Sequence, residues 1–207
     1  MVKSMFGDRV DGWLHAGFPF LFHKRVSPNL LTVVGAGVSL LAAAAFAGGH
    51  FRSAGLLILA GGVFDLIDGV VARHHGITTR FGGFLDSTLD RLVDMALLVG
   101  VAVHFARGGD APHVLLAGAA LITSVLVSYA QARAELVVPD FRVGFFERAE
   151  RVVVLALGAL SGLLVPALWI ITLGSAITVA QRFSKAYQEM EQIDAAERAA
   201  LTLRERG

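Results

Sequence analysis

The sequence predicts an all-α integral membrane protein of six transmembrane helices, preceded by an N-terminal amphipathic helix lying at the interface. Its residues are 55% hydrophobic and its mean hydropathy is +0.66, more than a soluble domain with one core carries. Apolar stretches of the ~20 residues that cross a ~30 Å hydrocarbon layer recur at 29–49, 54–73, 83–106, 112–136, 147–164 and 166–183. Together these spans nearly exhaust the 207 residues, leaving no room for a second domain.

The elements follow in chain order. Residues 1–27 mix Phe6, Trp13, Leu14, Phe18, Phe20, Leu21 and Phe22 with Asp8, Arg9, Lys24 and Arg25. They lack the cationic start, short apolar run and small-residue cleavage site of a signal peptide, so they read as an interfacial helix. Residues 28–187 form the six-helix transmembrane domain, and 188–207 a charged helical tail. The N-terminus, the loop holding Arg73 and Arg80, the loop from Arg133 to Arg151 and the tail carry nearly all Lys and Arg, whereas the alternate loops offer only Arg52 and Arg107. By the positive-inside rule both termini, and the tail, are expected on the cytoplasmic side of a bacterial or archaeal-type cell membrane. A net charge of +1 argues against a nucleic-acid partner, which needs a concentrated basic face. The absence of Cys excludes disulfides and thiolate metal sites.

Charges within the apolar spans are the informative feature, because ionisable groups there are costly and read as functional by default. At 100° per residue, Asp65, Asp68, Gly69 and Ala72 share one arc of span two, with Arg73 at its margin, and Gly82, Asp86 and Asp90 share an arc of span three. Carboxylates spaced i,i+3 and facing others spaced i,i+4 repel one another and lose their hydration, an arrangement that cations must neutralise. Oxygen ligands without Cys or His select Mg²⁺, Mn²⁺ or Ca²⁺ over zinc. Arg73 offers a guanidinium fork for phosphate oxygens. The plainer alternative, structural ion pairs in a helical bundle, calls for more cations than these arcs contain.

The run from Asp65 to Asp90 reads D-x2-D-G-x2-A-R-x8-G-x3-D-x3-D, filled by Asp65, Asp68, Gly69, Ala72, Arg73, Gly82, Asp86 and Asp90. It resembles the signature of the CDP-alcohol phosphotransferases, integral membrane enzymes of phospholipid synthesis. The resemblance implies a six-helix homodimeric fold with its active site near the cytoplasmic face. It further implies that Asp65, Asp68, Asp86 and, in part, Asp90 hold two divalent cations, Mg²⁺ or Mn²⁺, against the diphosphate of a CDP-linked lipid. Asp90 carries over as the base that deprotonates the acceptor hydroxyl. Cations beside a carboxylate lower its pKa, so orienting the hydroxyl stands as the alternative role. Gly69, Ala72, Arg73 and Gly82 match positions lining nucleotide and diphosphate. Pro28-Asn29-x-x-Thr32 resembles the family's P-N-x-x-T, whose polar residues approach the cytidine, and also reads as a helix N-terminus.

Ser128 to Glu135, Glu147 to Arg151, and Gln181-Arg182 resemble segments of the phosphatidylinositol-phosphate synthase branch. That resemblance implies CDP-diacylglycerol as donor and inositol phosphate as acceptor, with Arg133, Arg151 and Arg182 around the acceptor phosphate. Gln131 occupies the position where that branch has Lys, a loss worth about 1–3 kcal/mol of charged hydrogen bonding, or else the mark of another acceptor such as glycerol 3-phosphate. A positive-inside loop alone would also supply Arg133, Arg148 and Arg151. From a different class, an ion transporter with intramembrane aspartates predicts broken helices and paired repeats, and neither is found in the sequence.

Overall fold

Pro28 opens the first helix, where its missing N–H costs nothing and its fixed φ suits the first turn. The structure is a computed structural model that describes residues 27–74 and 78–205, giving the backbone alone at 72–74 and 203–205. Apart from Ser27, which precedes the first helix, the interfacial helix expected over 1–27 lies outside the described residues. Six helices follow: α1 Pro28–Ala47, α2 Phe51–His74, α3 Arg80–Arg107, α4 Ala111–Ala134, α5 Arg148–Ser161 and α6 Leu164–Glu205. Among the described residues there is no strand.

Two turns show how sequence ends the helices. Gly49 takes φ +77° and Gly109 φ +71°, a left-handed conformation that only glycine adopts freely. His50 N then donates to the Ala45 carbonyl (2.8 Å) and Asp110 N to the Phe105 carbonyl (3.0 Å), closing each C-terminus in the Schellman manner. Asp110 also caps α4 by accepting from His113 N at 3.4 Å.

The chain forms two compact units, 1–104 and 105–207. In the first, α1 packs on α2, with Leu31, Ile67 and Val71 buried together against Phe64. Small residues permit the approach: a Cβ at Gly35 would stand 2.7 Å from Cβ of Phe64, and one at Gly61 would collide with Ser39 Oγ. A Cβ at Gly100 of α3 would strike the Ala43 carbonyl oxygen of α1. Such small-residue seams are how helices associate where lipid offers no hydrophobic drive. In the second unit, α4 and α5 both pack on α6, burying Ala117, Ala120, Ala156, Ala159, Leu168 and Ile171.

Apolar side chains also face outward, including Leu41 (61% exposed), Leu56 (61%), Leu115 (74%) and Ile122 (61%). Helices apolar on both faces belong in lipid, and the chain is a membrane protein. Among the described residues, four helices are long and apolar enough to cross a bilayer: 28–47, 51–71, 111–134 and 164–202. The remaining two fall outside that measure of length and apolarity for identifiable reasons. Helix α3 has 28 residues but carries Asp86, Asp90, Arg91 and Asp94. Helix α5 has 14 residues, about 21 Å at 1.5 Å each, because Gly162 with φ +78° ends it early. At the other extreme α6 runs 42 residues straight through the boundary expected at 187/188. No Gly or Pro interrupts it after Gly174, and Lys185 pairs with Glu189 at 2.7 Å in the i,i+4 register.

Gly100→Leu should therefore destabilise the detergent-solubilised protein by about 1–3 kcal/mol through overpacking, read as a lowered thermal midpoint. Gly118→Ala, where nothing lies within 4 Å of the added Cβ, should leave it equal or higher, since alanine is the better helix former.

Candidate functional site

Two helices supply the acidic cluster. Asp65 and Asp68 stand one turn apart on α2, Asp86 stands near the start of α3, and one oxygen from each lies within 4.8 Å of the others. Asp68 is buried, at 7% exposure, and Asp65 and Asp86 are half-buried. Asp90 lies one turn beyond Asp86 on α3, half-buried and outside that group of three.

A cleft of about 240 Å³ opens on this cluster, lined by Pro28, Asn29, Thr32, Asp68, Gly69, Thr78, Thr79, Gly82, Gly83 and Asp86. The residues predicted from three separate stretches of sequence, Asn29 and Thr32, Gly69, and Gly82, thus share one wall space. The side chains of Ala72 and Arg73 lie outside the described residues. Thr32 donates its hydroxyl to Asp68 Oδ2 at 2.5 Å, with the Pro28 carbonyl oxygen as alternative acceptor at 3.0 Å. Gly82 N donates to Thr79 Oγ1 at 2.9 Å, which caps the N-terminus of α3 and sets the height of Asp86. A Cβ on Gly82 would stand 3.0 Å from Thr79 Oγ1 and 3.1 Å from Asn29 Oδ1, so a side chain there would push both polar atoms away by a few tenths of an ångström.

Thr78 and Thr79 were missed by the sequence reading. A threonine three residues before Gly82 at a helix start is a capping signal, and that signal was available.

The donor set fits a divalent cation. Three carboxylates held this close on largely apolar helices concentrate negative charge where water is scarce, and hard oxygen ligands suit Mg²⁺ or Mn²⁺.

The residues expected around an acceptor phosphate lie in the second unit and differ from one another. Arg182 is buried, at 5% exposure. Its Nε donates to the Val143 carbonyl at 2.8 Å, Nη1 donates to the Val127 carbonyl, and Nη2 lies 3.6 Å from Glu147 Oε1. Its guanidinium thereby ties the connection after α4 to the body of α6. Arg151 is also buried, at 4%, whereas Arg133 is exposed. The Gln131 amide nitrogen donates to Glu135 Oε1 at 2.5 Å and to the Phe141 carbonyl. Glu147 and Glu150 form the capping box that starts α5, and Glu147 additionally faces Arg182.

An acidic cluster able to hold a cation beside a cleft, on helices that belong in lipid, fits an integral membrane enzyme of metal-assisted chemistry. The chain belongs to the CDP-alcohol phosphatidyltransferase family, whose model matches residues 25–181. A phosphatidylinositol phosphate synthase of Streptomyces avermitilis is 39% identical over 193 residues, covering 86% of this chain and 79% of the relative. An archaetidylinositol phosphate synthase of Pyrococcus horikoshii is 34% identical, covering 80% of this chain and 86% of the relative. Among solved structures, the Mycobacterium tuberculosis phosphatidylinositol phosphate synthase with CDP-DAG bound superposes with a TM-score of 0.73 at 30% identity, over 87% of this chain and 92% of that one. The same synthase in complex with manganese and citrate also gives 0.73.

Replacing Arg182 by Ala should leave the Val143 carbonyl without its side-chain donor, at about 1–3 kcal/mol where it stays buried, and remove the guanidinium's tie to the Val127 carbonyl of α4. The expected readout is faster tryptic cleavage after the exposed Arg142 in detergent, with Arg182→Lys intermediate because an ammonium lacks the planar fork.

Proposed function

We propose that this enzyme transfers the phosphatidyl group of CDP-diacylglycerol to a hydroxyl of inositol phosphate and releases CMP. The observation that carries the reading is the Asp65, Asp68 and Asp86 cluster at the mouth of the cleft lined by Asn29, Thr32 and Gly82. The synthases that match it over most of their length support the acceptor.

In this reading the cleft takes the nucleotide end of the donor. Asn29, Gly69, Ala72, Arg73 and Gly82 surround cytidine and diphosphate, Thr32 stands in the same wall with its hydroxyl on Asp68, and the guanidinium of Arg73 binds phosphate oxygens. Asp65, Asp68, Asp86 and Asp90 hold two Mg²⁺ or Mn²⁺ ions, which when bound neutralise charge on the diphosphate and align attacking and leaving oxygens. The acceptor oxygen attacks the phosphorus that bears the lipid, the bond from that phosphorus to the CMP oxygen breaks, and Asp90 receives or directs the hydroxyl proton. Positioning supplies most of the acceleration, as expected for phosphoryl transfer. Arg151 and Arg182, with Arg133 and Gln131, face the acceptor phosphate.

The same reading takes all six helices as spans, with both termini cytoplasmic and the chain homodimeric. At 28 residues, about 42 Å, α3 is long enough, and two of its charges, Asp86 and Asp90, are those of the site. The chain leading into the short α5 is protected by protein, since Phe141 and Phe146 are buried and Phe146 N donates to Thr178 Oγ1 at 3.2 Å. Gln131 offers no cation where the inositol branch has Lys, and its amide nitrogen is engaged by Glu135 and Phe141; this departure makes another polyol phosphate, glycerol 3-phosphate, the second reading.

Purified protein given CDP-diacylglycerol and Mg²⁺ or Mn²⁺ should release CMP with inositol 1-phosphate and not with free inositol or serine. Release only with glycerol 3-phosphate would move the enzyme to the second reading. Chelation should abolish turnover reversibly, and Asp68→Ala or Asp86→Ala should lower it by about 10²–10³-fold or more with helicity unchanged. Near-normal turnover in either variant would refute the cation-site assignment.

A further inference from the structure

We infer that Thr32 is a positioning residue for the cation site, acting through Asp68. The inference rests on the reading of the acidic cluster given above and assigns Thr32 a task other than contact with the nucleotide.

Three observations converge on it. Asp68 is the most buried carboxylate of the cluster, and Thr32 beside it is 6% exposed, so little of either side chain is open to water at the cleft wall they share. The hydroxyl lies 2.5 Å from Asp68 Oδ2, the short distance typical of a hydroxyl donating to an ionised carboxylate. Finally, the bond crosses between helices, and the helix seam sets its length. Gly35 lies three residues after Thr32 and meets Phe64, four residues before Asp68, so the same faces that lack a side chain at Gly35 and Gly61 bring Thr32 onto the carboxylate.

A carboxylate on a helix can rotate about its terminal torsion, which is broad. A fixed donor on one oxygen removes that freedom and sets the direction in which the other oxygen points. Asp65 and Asp86 can share a cation with Asp68 only while that direction is held. Groups that orient metal ligands in this way typically change metal affinity by about 10–100-fold when mutated. The Pro28 carbonyl at 3.0 Å is the competing acceptor, so a hydroxyl turned toward it would release Asp68. Valine in place of Thr32 keeps the shape and removes the donor, and serine keeps the donor.

The test is Mn²⁺ binding by the detergent-solubilised full chain without lipid or nucleotide, followed through the electron paramagnetic resonance signal of free Mn²⁺. The wild-type protein should bind saturably and Asp68→Ala should not. Thr32→Val should raise the Mn²⁺ Kd by about 10–100-fold, and Thr32→Ser should stay within about threefold of wild type. In turnover, the Mn²⁺ concentration for half-maximal rate should rise with Thr32→Val, while KM for CDP-diacylglycerol at saturating Mn²⁺ changes little. Wild-type Mn²⁺ affinity in Thr32→Val with a raised KM for the CDP-lipid would overturn the inference and leave Thr32 as a nucleotide contact. If Thr32→Val fails to fold, Thr32→Ala and Thr32→Ser decide the matter by the same readings. Absence of saturable Mn²⁺ binding in the wild type, or its survival in Asp68→Ala, would instead overturn the cation-site reading beneath the inference.

Discussion

The close approach of α1 to α2 is the constraint on which the site depends. Without side chains at Gly35 and Gly61, the two backbones come near enough for Thr32 to reach Asp68. In lipid such an approach cannot be driven by expelling water, so packing and interhelical hydrogen bonds supply it. The polar pair and the glycine seam therefore support each other: the seam delivers the hydroxyl to the carboxylate, and the hydrogen bond adds attraction at the seam. Helix α3 joins through Gly100 against Ala43 and brings Asp86 to the same cluster. Placing three carboxylates together is unfavourable in itself, and the fold tolerates it because a cation can occupy the space they share.

The second unit solves a different problem, which is how to carry backbone outside helices. The connection from 135 to 147 exposes carbonyls that helical bonds do not satisfy. Arg182 satisfies one of them, at Val143, while its guanidinium reaches the Val127 carbonyl inside α4, and Thr178 accepts from Phe146 N. Glu147 and Glu150 close the N-terminus of α5 on themselves. The polar residues of this unit thus serve structure and, in the proposed reaction, an acceptor phosphate as well. An arginine already committed to carbonyls is rigid, and a rigid cation loses less entropy on meeting an anion than one free in solvent.

Much of the cleft was legible in the sequence because helical spacing is local. The periodicity of Asp65, Asp68 and Gly69 places them on one face whatever surrounds the helix, and the same holds for Gly82 and Asp86. The structure brings both faces to one cleft along with Asn29 and Thr32. The spans were less legible at their edges. Hydropathy extended the fifth through 164, whereas Gly162 turns the chain at a single residue. It also separated the sixth from the tail at 187/188, although the backbone of α6 continues without interruption. Apolarity reports where lipid is, and helix ends are decided by caps and glycines, which are separate signals.

By itself the sequence determined the chemistry: hard oxygen ligands at helical spacing, an all-helical membrane chain, and a family signature from Asp65 to Asp90. Those properties depend on residue identity and on the fixed rise of a helix, so they need no knowledge of neighbours. Only the tertiary structure decided which acidic groups meet, that Thr32 holds Asp68, that Arg182 is buried among carbonyls while Arg133 is exposed, and that Gln131 is tied to Phe141. Each of these joins residues distant in sequence or ranks similar residues by burial. Contacts of that kind arise from packing between helices, which periodicity along one helix does not contain.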